Sequence, residues 1–105
     1  MAFLERCTQK IISKTMDEFV AMEKKFEALE AKMGNVPPKR RYYAAFSGYA
    51  NFTMFWEREW ESLAALEAYQ KKVMDDPEWA KASEEASKVF DDVHNELFYL
   101  IPFPE

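Results

Sequence analysis

The stretch Gly48 to Trp79, GYANFTMFWEREWESLAALEAYQKKVMDDPEW, decides how this chain folds. Its first half, Phe52 to Trp60, reads as an aromatic strand with large residues on both faces. At Trp60-Glu61-Ser62 the period changes to that of a helix: Ser62 is placed to cap it, and Leu63, Leu66, Tyr69 and Val73 share one face. Asp75-Asp76-Pro77 then breaks the helix and restarts it, because proline fits a first helical turn. A strand that is apolar on both sides needs two covering layers, and 105 residues supply helices for only one. The second layer is expected to be another copy of the chain.

Outward from that stretch, Ala2 to Ile12 has the pattern of a strand, with Cys7, Thr8, Ile11 and Ile12 suited to a pleated surface. Thr15 and Glu18 form a capping-box pair for the helix that follows. Its apolar stripe of Met16, Phe19, Met22, Phe26, Leu29 and Met33 ends at Gly34. Asn35 to Pro38 is a turn, Lys39 to Ser47 a strand, and Gly48-Tyr49-Ala50-Asn51 the connection of a hairpin to the strand Phe52–Trp60. After the break, Trp79, Ala82, Ala86, Val89 and Val93 form the stripe of a further helical segment. His94 then falls at its far end, and Asn95 introduces a last strand, Glu96 to Phe103, closed by Pro102 and Pro104.

The order is β-α-β-β-α-β with the second helix broken, which defines an α+β, ferredoxin-like domain spanning residues 1–105. It has a four-stranded antiparallel sheet with its helices on one face. Strand parity separates Tyr42 from Tyr43, sets Phe52, Met54 and Trp56 against Phe55, and sets Leu97, Tyr99 and Ile101 against Phe98 and Leu100. Both faces are therefore expected to be apolar, and two sheets to pair across the open one.

Composition narrows the function. A formal net charge of -5 opposes nucleic-acid binding, which needs a basic face. The N-terminus carries Glu5, Arg6 and Lys10 among its apolar residues, so no signal-peptide core forms, and nowhere do eighteen apolar residues run together. One cysteine, Cys7, makes no internal disulfide. A reduced, cytoplasmic protein without a membrane segment is the expectation. With two glycines, no phosphate loop or dinucleotide-type motif is present, and no zinc spacing or serine elbow is found.

Charged residues interrupt the apolar strands. Glu5 and Arg6 on the first strand and Glu57, Arg58 and Glu59 on the third must be paired or face a wet pocket mouth. A cross-strand ladder between Arg6 or Arg58 and Glu57 or Glu5 is the expected arrangement, acid-base work by paired carboxylates the alternative. Cys7 has no neighbouring histidine in the sequence to activate it and is read as a buried structural thiol.

The Gly48 to Asn51 approach to the third strand, the aromatic strand ending in Trp60-Glu61-Ser62-Leu63, and the Asp76-Pro77-Glu78-Trp79 break together resemble the dimeric α+β barrel superfamily. Within it the chain is most similar to NIPSNAP-type and antibiotic-biosynthesis-monooxygenase-type small domains. The resemblance covers nearly the whole chain and implies a homodimeric barrel; it does not fix an activity. Against the haem-degrading members, Trp60 matches their tryptophan. Cys7 stands where they carry asparagine, and Ala82 and Ser83 stand near their haem-ligating histidine, which argues against haem chemistry.

The functional expectation is a homodimer that binds a small hydrophobic or aromatic molecule between sheet and helices, with no cofactor and no metal. Candidate ligand-binding residues are Phe19, Met22 and Phe26 of the first helix, Trp79 at the break, and Tyr43, Trp56 and Trp60 of the strands, with Arg41 or Arg58 at the mouth. Two alternatives accompany it. One is cofactor-independent oxygenation of an aromatic substrate, as the resemblance implies; the other is a structural dimer whose aromatics only fill space.

Overall fold

A computed structural model describes residues 2–12, 16–43, 53–102 and 104. Its elements run β1 (Phe3–Ile11), α1 (Met16–Met33), β2 (Arg40–Tyr43), β3 (Thr53–Trp60), α2 (Leu63–Met74), α3 (Pro77–Ala86) and β4 (Phe90–Tyr99). The four strands form one antiparallel sheet in the order β2-β3-β1-β4, with β1 and β3 inside. Its fold is α+β and ferredoxin-like, as the element order predicts. The Thr15 cap, the strand residues after Tyr43 and the Gly48-to-Asn51 connection lie outside the described residues.

Local signals account for the helix ends. Gly34 and Asn35 close α1 with φ of 72° and 54°, the left-handed geometry in which glycine and asparagine are tolerated. Ser62 accepts the Ala65 N–H at 3.1 Å to start α2, and Asp76 accepts the Glu78 N–H at 2.9 Å to start α3, with Pro77 in its first turn.

β1 alternates strictly, burying Phe3, Glu5, Cys7, Gln9 and Ile11 on the face that the helices cover. Opposite them on the same face lie Met54, Trp56, Arg58 and Trp60 of β3. The core divides in two along these strands. Ile11, Phe19, Met22, Met54, Ala86 and Phe90 pack at one end, and Phe3, Trp60 and Leu66 at the other. Between the two ends the covered face carries Glu5, Cys7 and Gln9, so the middle of this face is polar rather than apolar.

Two expectations are corrected. α3 stops at Ala86, and Val93 and His94 belong to β4, which begins at Phe90 and ends at Tyr99 rather than running from Glu96 to Phe103. The cause is tertiary: the inner strand β1 would leave backbone groups unpaired along half its length unless β4 reached back to Phe90 opposite Ile11. That ladder overrides the poor strand propensity of Asp91, Asp92 and Asn95. His94 therefore sits mid-strand opposite Thr8 and is exposed, not at a helix end. The faces are also less apolar than expected. The open face combines Leu4, Tyr42, Phe55 and Phe98 with Arg6 and Glu57, and the covered face holds Glu5, Gln9 and Arg58.

Candidate ligand-binding cavity

A cavity of about 790 Å³ opens between the sheet and the three helices, its floor formed by the polar middle of the covered face. Glu5, Cys7 and Gln9 of β1 and Trp56 and Arg58 of β3 supply that floor, while Glu23 and Phe26 of α1, Tyr69 of α2 and Trp79 of α3 supply the walls.

Arg58 organises the floor. Only 4% exposed, it donates through Nε to Glu5 Oε1 at 2.7 Å and through a terminal nitrogen to Glu30 Oε2. Its guanidinium lies 4.7 Å from the Trp56 ring centre, 5.1 Å from Trp60 and 4.9 Å from Tyr69. A charge this deep is tolerated because both carboxylates are hydrogen-bonded in turn. Trp60 Nε1 donates to Glu5 at 2.9 Å, Tyr69 Oη donates to Glu30 at 3.0 Å, and Lys39 Nζ pairs with Glu30 Oε1 at 2.7 Å while lying 4.3 Å from the Trp56 ring centre.

The electrostatics follow from burial opposed by pairing. Burial alone would raise the Glu30 carboxyl, but Lys39 and Arg58 outweigh it and hold the group below the ordinary carboxylate range. Burial likewise opposes the charge on Arg58, and Glu5 and Glu30 reverse this and raise its pKa further. Tyr69 is pushed up by burial and by the Glu30 charge, so its hydroxyl stays protonated as a donor. Burial lifts the Cys7 thiol to about 12, with Lys39 opposing. Cys7 is thus a neutral thiol near neutral pH, unsuited to nucleophilic attack.

Rings continue the wall away from this cluster. Phe26 and Trp79 have centroids 5.4 Å apart, Trp79 and Tyr69 6.1 Å, and Tyr69 and Trp60 5.3 Å, so one aromatic series links α1, α3, α2 and β3. Of the candidate residues, the fold brings Phe26, Trp56, Arg58 and Trp79 to the cavity surface. Phe19 and Met22 lie in the neighbouring apolar core, and Trp60 stands behind the wall in the other core. Tyr43 is exposed on the short strand β2. Arg41 is exposed with Nε 3.8 Å from Glu23 Oε1, whereas Arg58 occupies the floor rather than the mouth, because its partners Glu5 and Glu30 are themselves buried.

Glu23, Glu30, Gln9 and Tyr69 escaped the sequence reading of the site. Glu23 and Glu30 are seven residues apart, four after Phe19 and Phe26 respectively, on the helix face turned toward the sheet. A carboxylate at a stripe position opposite a strand arginine was the available signal.

The expected cross-strand ladder is present as two pairs on adjacent rungs: Arg58 with Glu5 on the covered face and Arg6 with Glu57, also at 2.7 Å, on the open face.

By sequence the chain matches no protein-family model and no curated protein. By structure it is similar to a NIPSNAP family protein from Agrobacterium tumefaciens at TM-score 0.79 and 13% identity, over 98% of this chain and 96% of that one. An uncharacterized NIPSNAP-like domain protein from Burkholderia xenovorans superposes at TM-score 0.72 and 12% identity, over 99% and 89% of the two chains. A dimeric ferredoxin-like protein of unknown function from Thermobifida fusca follows at TM-score 0.66 and 15% identity, over 95% and 92%. The chain thus has a NIPSNAP-like, ferredoxin-like fold.

Proposed function

We propose that this chain is a homodimer paired through the open face of its sheet, and that the cavity under the helices binds a small molecule with an aromatic or otherwise apolar body. The observation that carries the ligand reading is the cavity itself. Space of about 790 Å³ beside rings from three helices and a strand is unlike a side-chain-filled structural core, and its volume suits a small ligand.

Pairing is supported by the dimeric state of the ferredoxin-like neighbour and by the open face. Leu4, Tyr42, Phe55 and Phe98 lie on it beside charges of both signs, Arg6 and Glu57, a surface able to complement its own copy across a two-fold axis.

Native mass spectrometry of the purified protein tests both parts, with the expected species at twice the 12.4 kDa chain mass. A monomer at micromolar concentration overturns the pairing. Titration calorimetry with a panel of planar phenols is expected to give saturable binding that Trp56→Ala abolishes. Absence of saturable heat across the panel overturns the ligand reading and leaves a structural dimer.

A further inference from the structure

Two residues that line the cavity each carry a buried acceptor oxygen without a hydrogen bond. Glu23 and Gln9 are each 5% exposed and line the cavity. Glu23 Oε1 and Gln9 Oε1 have no hydrogen-bond partner among the described residues. The nearest cation to Glu23, Arg41 Nε, lies at 3.8 Å, close enough for an ionic attraction and too far for a hydrogen bond. An unsatisfied acceptor costs about 1–3 kcal/mol once water is removed, and more when charged, so two in one cavity are costly unless something enters to pair with them.

The two cations of the floor are held by other carboxylates. Arg58 Nε is committed to Glu5 and a terminal nitrogen to Glu30, and Lys39 is also held by Glu30. The floor's own cations are therefore matched by Glu5 and Glu30, and Glu23 is a third buried carboxylate.

We infer that the cavity selects a ligand with a cationic amine on an aromatic or apolar body, its N–H groups donating to Glu23 and Gln9. The body lies along the pair formed by Phe26 and Trp79. Phe26 stands one helical turn beyond Glu23 on α1, so charged and apolar contacts fall on the same side of the cavity. An anionic ligand would meet a buried carboxylate oxygen whose only cation is the exposed Arg41 at 3.8 Å, and a purely apolar one would leave both acceptors without a hydrogen bond. This inference rests on the cavity being a ligand site, and it adds the sign of the charge and the residues that read it.

The test compares three probes of one shape by titration calorimetry: 2-phenylethylamine, 2-phenylethanol and 3-phenylpropanoate. The amine is expected to bind at least about tenfold tighter than the alcohol, as a charge-assisted hydrogen bond warrants, and the carboxylate weakest of the three. Glu23→Gln should remove about tenfold of amine affinity and leave the alcohol unchanged, and Gln9→Leu should weaken the amine more than the alcohol. If alcohol or carboxylate binds as well as the amine in the unmodified protein, the amine preference is wrong while the ligand site stands. If none of the three binds, the ligand site fails and this inference with it.

Discussion

The same ion pair is made twice in this sheet, once on each face. Arg58 with Glu5 and Arg6 with Glu57 occupy adjacent rungs of the β1–β3 ladder, and both span 2.7 Å. Their surroundings differ. The side chains of the covered pair are 3% and 8% exposed and those of the open pair 40% and 15%. Around the covered pair Glu30 accepts from Arg58, and Trp60 and Tyr69 donate to Glu5 and Glu30, while the open arginine has the Phe98 ring 5.0 Å away as its further neighbour. Sequence spacing alone cannot separate these pairs. Desolvation does, because a charge removed from water persists only inside a satisfied network, and a charge at the surface needs little help.

The sharpest way to break the contrast is Arg58→Met. It strands Glu5 in the interior and leaves Glu30 with Lys39 as its one cation, and urea unfolding should show a loss of about 3–5 kcal/mol. A loss under about 1 kcal/mol would mean that water reaches the covered pair. On the open face, Phe55→Glu places a charge at the centre of the proposed dimer surface. Sedimentation should then report association weakened by at least about 2 kcal/mol, a rise of roughly thirtyfold in Kd. An unchanged dimer would exclude that face as the interface.

A pH series sharpens the comparison next. Glu30 has its folded pKa lowered from the ordinary 4.5, net of a burial effect that raises it, by Lys39 and Arg58. Its contribution to stability is fully present above the unfolded value and is lost as pH falls through the lower folded value. Unfolding free energy should therefore decline below about pH 4.5, and Glu30→Gln should flatten that decline. An equally steep decline in the variant would move the acid sensitivity to other carboxylates. The smallest effect is expected from Arg6→Met, under about 1 kcal/mol when measured in the Phe55→Glu background where no partner covers the open pair.

The strands and their parity were legible because a period of two survives even where charges interrupt it, as at Glu57 and Arg58. Ser62 and Asp76-Pro77 were legible because capping is local chemistry. The start of β4 was not, since Asp91 and Asp92 enter a strand only to complete the β1 ladder, a demand set by residues eighty positions away. Half of the candidate site followed the same logic. Phe26 on the first helix stripe, Trp56 on its strand and Trp79 at the helix break announced themselves as large apolar groups, while Glu23 and Glu30 carried no such signal because their partners come from other elements.

All three tryptophans of the chain cluster about this one cavity. Trp56 and Trp79 line it, and Trp60 stands behind its wall, hydrogen-bonded to Glu5. Trp56 and Trp60 share the Arg58 cation, and Trp79 stacks in the ring series with Phe26 and Tyr69. The protein's tryptophan emission therefore arises entirely from this region. An optical change on titration reads the cavity directly, with no external label and no tryptophan elsewhere in the chain to dilute the signal.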